Sequence, residues 1–100
     1  MRLTQFQIDS INKLATKHFG LETTVYLFGS RTDDLRKGGD IDLFINNTNE
    51  AALTIEAKIH FLAGLKNEIG DRKIDVVFDN DNTRQKKNFY RSVTRQKVVL

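Results

Sequence analysis

Apolar residues recur along this chain in two rhythms, and each change of rhythm marks a new element. From Thr4 onward Ile8, Ile11, Leu14 and Ala15 return at the spacing of a helix turn, which predicts an amphipathic helix. Thr4 and Gln7 stand three apart, as a capping box requires, and Gly20 suits the residue that closes the helix. Thr23 to Phe28 is a short run of β-branched and aromatic residues, read as a buried strand broken by Gly29-Ser30. Residues 31–37 suit a short helical turn, and Gly38-Gly39 a loop. The period then drops to two. Asp40, Asp42 and Phe44 alternate with Ile41, Leu43 and Ile45, a second strand ending in a turn at Asn46 to Asn49.

Ala51 to Ile69 returns to the helical period, with Leu53, Ile55, Ala57, Ile59, Leu62, Leu65 and Ile69 as core candidates and Gly70-Asp71 as the stop. Lys73 to Phe78 is a third strand, with Ile74, Val76 and Phe78 opposite Asp75 and Val77. After a turn at Asn80 to Asn82, a last helix is predicted from Thr83 to Val93, and Val98-Val99-Leu100 can add an edge strand. The resulting order predicts an α/β (α+β) domain over residues 1–100: a small mixed sheet of three or four strands flanked by helices.

Composition narrows the chemistry. The chain has no cysteine, which removes disulfides and thiolate metal sites, and only two histidines, His18 and His60. Both fall on predicted helices and read as packing or surface residues. A metal would therefore sit on oxygen ligands, which favours magnesium, manganese or calcium. No apolar run is long enough to span a bilayer and no secretory signal precedes the first helix, so the expected location is the cytoplasm. The net charge of +3 is unevenly placed. Arg84, Lys86, Lys87, Arg91, Arg95 and Lys97 fall in a tail without an acid, leaving the remainder of the chain acidic.

The chemistry concentrates in two stretches and one later residue. On a strand, Asp40 and Asp42 project from the same face, an unfavourable pairing of like charges unless a cation lies between them. Asp75 joins them if its strand is a neighbour. Three carboxylates on one sheet face supply ligands for two magnesium ions, the arrangement used for in-line displacement at phosphorus. Gly29 allows close approach of the backbone to a phosphate, Ser30 adds a hydroxyl, and Arg31 adds a forked cation. Taken singly, Gly29-Ser30 is also a common turn, and Arg31 a solvated side chain.

Gly29-Ser30-Arg31 followed by Asp40-Ile41-Asp42, with a strand aspartate at Asp75, resembles the DNA polymerase beta nucleotidyltransferase superfamily, and above all its minimal (MNT) branch. Gly39 stands where relatives often carry serine. The resemblance covers essentially the whole chain and implies the nucleotidyltransferase fold. It implies transfer of a nucleoside monophosphate, AMP from ATP in the leading case, to a hydroxyl, with two magnesium ions. Asp40 and Asp42 would then ligate the metals, Asp75 would ligate the second and help deprotonate the acceptor, and Gly29 and Ser30 would hold the triphosphate. It also implies a partner, a HEPN-domain toxin neutralised by this chain as antitoxin; a chain of this length is expected to receive its acceptor from a partner or a second subunit.

Two further readings stand beside this one. The chain could neutralise such a partner by complex formation alone, without catalysis. Arg84, Lys87, Arg91 and Arg95 would share one helix face, open to solvent, an acidic partner protein, nucleic acid or the triphosphate. Phe89 and Val93 are placed on that helix's buried side, with Tyr90 beside them.

Overall fold

The computed structural model describes residues 3–29 and 41–100. Helix α1 (Gln5–Phe19) leads into β1 (Thr23–Phe28). Strand β2 (Ile41–Asn47) is followed by a 3-10 turn (Glu50–Ala52), α2 (Ile55–Ile69) and β3 (Ile74–Phe78). Two short helices, α3 (Asp81–Gln85) and α4 (Lys87–Gln96), precede β4 (Val98–Val99). The expected turn over residues 31–37, the Gly38-Gly39 loop, Ser30, Arg31 and Asp40 lie outside the described residues.

Local chemistry accounts for the element ends. The Thr4 hydroxyl accepts from Gln7 N at 3.1 Å, while Thr4 N donates to Gln7 Oε1 at 2.9 Å, completing the capping box. Gly20 ends α1 at φ +112°, a conformation open chiefly to glycine. Thr54 starts α2, its hydroxyl accepting from Ala57 N at 3.0 Å.

The sheet order is β3-β2-β1-β4, with β1 antiparallel to both β2 and β4 and β2 parallel to β3. The mixed four-stranded sheet with its helices is the α/β architecture expected. Strand alternation divides the core in two. Val25, Leu27, Ile41, Leu43 and Ile45 meet Ile11, Leu14 and Phe19 of α1 and Phe61 and Leu65 of α2. On the other face Phe28 and Phe44 meet Val93 and Tyr90 of α4. Phe44 is fully buried there, with the Tyr90 ring 6.1 Å from it, centroid to centroid. Burial of such a side chain stabilises the fold by roughly 1.5–3 kcal/mol.

Several boundaries differ from the sequence reading. Strand β2 continues through Asn46 and Asn47, which were expected to turn, because they pair with Thr24 and Thr23 of β1. Asn47 is buried, and its Nδ2 donates to Phe19 O at 3.1 Å and to Thr23 Oγ1 at 2.9 Å. The helix expected from Ala51 begins only at Ile55, since Asn49 caps a separate 3-10 turn and Thr54 supplies the true cap. Ile55 and Ile59, expected in the core, are 75% and 60% exposed. Phe61 and Leu65 define the buried stripe of α2, and the helix turn carries both isoleucines outside it.

The single helix expected from Thr83 to Val93 is two helices that meet at Lys86. Arg84 therefore does not share a face with Lys87, Arg91 and Arg95. It turns inward and pairs with Asp79 at 3.0 Å and with Glu50. His18 and His60 stack across α1 and α2, ring centroids 6.2 Å apart. Desolvation first, then Lys17 and His60, holds the His18 pKa below its usual value. No helix among the described residues is long and apolar enough to cross a membrane.

Candidate functional site

Three strand ends build the site. Phe28, the last residue of β1, pairs with Asp42 of β2, and Asp42 stands in parallel register with Asp75 of β3. Their neighbours Ile41, Leu43, Ile74 and Val76 face the α1–α2 core. Alternation therefore sends both carboxylates to the opposite face, where Phe28 and Phe44 lie. The two aspartates stand abreast on adjacent strands, whose spacing is about 4.8 Å. Asp42 is half-buried and Asp75 is exposed.

Gly29 closes the site from the β1 side. It takes φ +75°, and a Cβ built on it would lie 2.6 Å from Asp42 Oδ2. Only glycine leaves room for that carboxylate beside the turn. An open cleft of about 570 Å³ reaches the pair, lined on their side by Phe28, Val77 and Phe89. Phe89 meets Phe28 edge-on with centroids 6.3 Å apart, yet stays 41% exposed at the cleft. Its expected burial beside Val93 is thus only partial. On the far side of β3 the same cleft is lined by Lys58 and Leu62 of α2.

Like charges directly abreast on neighbouring strands disfavour one another. A divalent cation shared between them converts that repulsion to attraction. Among the described residues no cluster of three or more metal-ligating acids or histidines occurs. Asp42 and Asp75 supply two of the three expected carboxylates, and Asp40 lies outside the described residues. Of the residues expected at the phosphate, Gly29 lies beside Asp42, while Ser30 and Arg31 lie outside the described residues.

Asp79 shares the strand parity of Asp75 but belongs to different chemistry at the opposite end of β3. It is 8% exposed and accepts from Asn46 Nδ2 at 3.0 Å, Arg84 Nη1 at 3.0 Å and Tyr90 OH at 3.2 Å. This network ties α3 and α4 to the sheet. Nothing in the local sequence marks Lys58 or Phe89 for the site. Both come from helices, and only the packing of α2 and α4 on either side of β3 brings them to one cleft.

The model of the family described as polymerase beta, nucleotidyltransferase, matches residues 9–100, a span that contains Gly29, Asp40, Asp42 and Asp75. Among curated proteins, no relative matches the sequence.

Proposed function

The chain belongs to the polymerase beta nucleotidyltransferase family, and from that premise we propose that it moves a nucleoside monophosphate, AMP from ATP, to a hydroxyl acceptor on a partner protein. The family supports nucleotidyl transfer as the general role. The observation that carries the finer reading is the register of Asp42 with Asp75 beside Gly29.

Magnesium fits the residues present. Paired carboxylates abreast on a sheet, in a chain without cysteine, offer the hard oxygen donors it prefers. Asp42 and Asp75, with Asp40, would hold it. The bound metal would supply neutralisation of the triphosphate charge. The chain's own residues do the remaining work. Gly29 keeps the turn clear of any side chain that would displace the Asp42 carboxylate. Asp75, the more exposed acid, faces the cleft through which an acceptor enters and takes the hydroxyl proton. The hydroxyl oxygen attacks the α-phosphorus, and pyrophosphate leaves. Positioning dominates, as it does in phosphoryl transfer generally.

The acceptor we favour is a HEPN-domain toxin that this chain neutralises as antitoxin. Ile55 and Ile59, exposed on α2, also favour a second reading in which neutralisation is by binding alone. The test combines the purified chain, ATP labelled at the α-phosphate, magnesium and the protein encoded beside it. Label transfer that Asp42→Asn and Asp75→Asn abolish supports catalysis. Neutralisation undiminished in both variants identifies binding as the function. Absence of both nucleotide binding and transfer overturns the enzyme reading.

A further inference from the structure

The cleft beside Asp75 is a groove with a strand edge as its floor. Strand β3 ends the sheet formed by the described residues, and among them one of its sides carries no neighbouring strand. Ile41 N donates to Lys73 O at 3.0 Å and Asp79 N donates to Ile45 O at 2.8 Å. With the parallel register, these bonds fix which peptide groups of β3 turn toward β2: those of Asp75 and Val77. The N–H and C=O groups of Ile74, Val76 and Phe78 turn outward, and have no backbone partner among the described residues. A row of outward peptide groups is a template for another strand.

Most exposed edges are incidental, but this one is walled. The cleft of about 570 Å³ is lined from both sides of β3, by Lys58 and Leu62 on one side and by Asp75, Val77 and Phe89 on the other. A segment added to the edge would lie between α2 and α4 and contact both. Its side chains would alternate between the two walls. The residue opposite Asp75 would project on the same face as the Asp75 carboxylate, about 5 Å away.

We infer that the acceptor is an extended polypeptide segment that docks as a fifth strand on the β3 edge, with a serine or threonine hydroxyl opposite Asp75 and apolar residues toward Leu62. This rests on the nucleotidyl-transfer reading and specifies its acceptor. The hydroxyl oxygen bonds to the α-phosphorus of a nucleoside triphosphate, and the bond from that phosphorus to its bridging oxygen breaks. Pyrophosphate carries away the electron pair, and the hydroxyl proton passes through Asp75 to solvent. The product is a phosphodiester on the side chain. The edge recognises main-chain groups, so it selects extended conformation before sequence, and a short side chain before a long one.

The test uses the full chain and a capped peptide reading lysine, valine, threonine, valine, serine, valine, threonine, lysine. Adding it to isotope-labelled protein should shift the backbone amides of Ile74, Val76 and Phe78 and protect them from hydrogen exchange. A scan of single backbone N-methyl groups through the peptide should weaken binding at every second residue, roughly tenfold each. The phase of that alternation reports strand direction. With ATP and magnesium, the serine should become labelled, and the same peptide interrupted by proline should not.

Equal tolerance of N-methylation at all positions overturns the proposal, as do amide shifts confined to other elements. Occupation of the same amides by a second copy of the chain, seen as concentration-dependent shifts without peptide, overturns it too. ATP binding is read separately by calorimetry. ATP bound without peptide docking defeats the edge and leaves the transferase reading standing. Peptide docking without ATP binding or transfer defeats the transferase reading and, with it, the acceptor role of the edge.

Discussion

Gly29 lies against the carboxylate of Asp42, so close that a Cβ at position 29 would stand 2.6 Å from Oδ2. The glycine also holds φ +75°. Gly29→Ala thus meets two penalties at once, an unfavourable backbone region and a displaced carboxylate. The variant should lose about 1–2 kcal/mol of stability and most of its nucleotide transfer. Thermal melting and labelled-ATP transfer measure the two losses, and full activity in a folded Gly29→Ala protein would show that the contact is dispensable.

Asp75 stands abreast of Asp42 with no other strand between them. Without divalent cations, Asp75→Asn should raise the melting temperature, because it removes repulsion between like charges in register. With magnesium the order should reverse. The unaltered chain gains stability from binding, and the variant gains little. Melting curves with magnesium and with a chelator test the crossover. Equal magnesium shifts in both proteins would place the ion elsewhere.

Asp79 anchors α3 and α4 through Arg84 and Tyr90 and ties to β2 through Asn46. Asp79→Ala strands those donors at a site only 8% exposed. A cost of about 2 kcal/mol, or a fall of roughly 10 °C in melting temperature, is expected. A change of less than a degree would mean that the donors find water instead. Arg84 and Tyr90 should not contribute independently, and a double-mutant cycle between them would measure their coupling.

Burial, and then the Asp79 charge and hydrogen bond, push the Tyr90 phenol above its ordinary pKa of 10.0. The folded value exceeds the unfolded one, so the stability tied to the protonated phenol is fully present below pH 10.0. It is lost as the pH rises through the folded value. Tyr90→Phe should flatten the alkaline decline in melting temperature and remove the late component of the tyrosine absorbance titration. An unchanged alkaline slope would assign the decline to other groups.

Much of this architecture was legible along the chain, for reasons that differ by element. The bounds of β1 were readable because a compact β-branched run stops at Gly29, and the start of α1 because both halves of its capping box are local. Alternation alone put Asp42 and Asp75 on one face of their strands. It could not reveal that β3 lies parallel to β2 with the two in register, since that depends on how α2 crosses the sheet. Asn46 and Asn47 resemble a turn until Thr23, Thr24 and Phe19 are brought beside them. Arg84 looked like one of a row of cations because its partners, Glu50 and Asp79, are distant or hidden by the break at Lys86. Ile55 and Ile59 count among the apolar residues of α2, but they lie off the stripe that Phe61 and Leu65 bury, which only the packed helix reveals.

The parallel pairing of β2 with β3 has a kinetic consequence. Asp42 and Asp75 meet only after the whole of α2 has folded back across the sheet, whereas β1 and β2 are adjacent in sequence and can pair early. A nascent or partly melted chain can therefore hold a formed hairpin and still lack the acid pair. Competence for chemistry then becomes a late reporter of folding, and in a denaturant series activity should vanish no later than the last of the secondary structure.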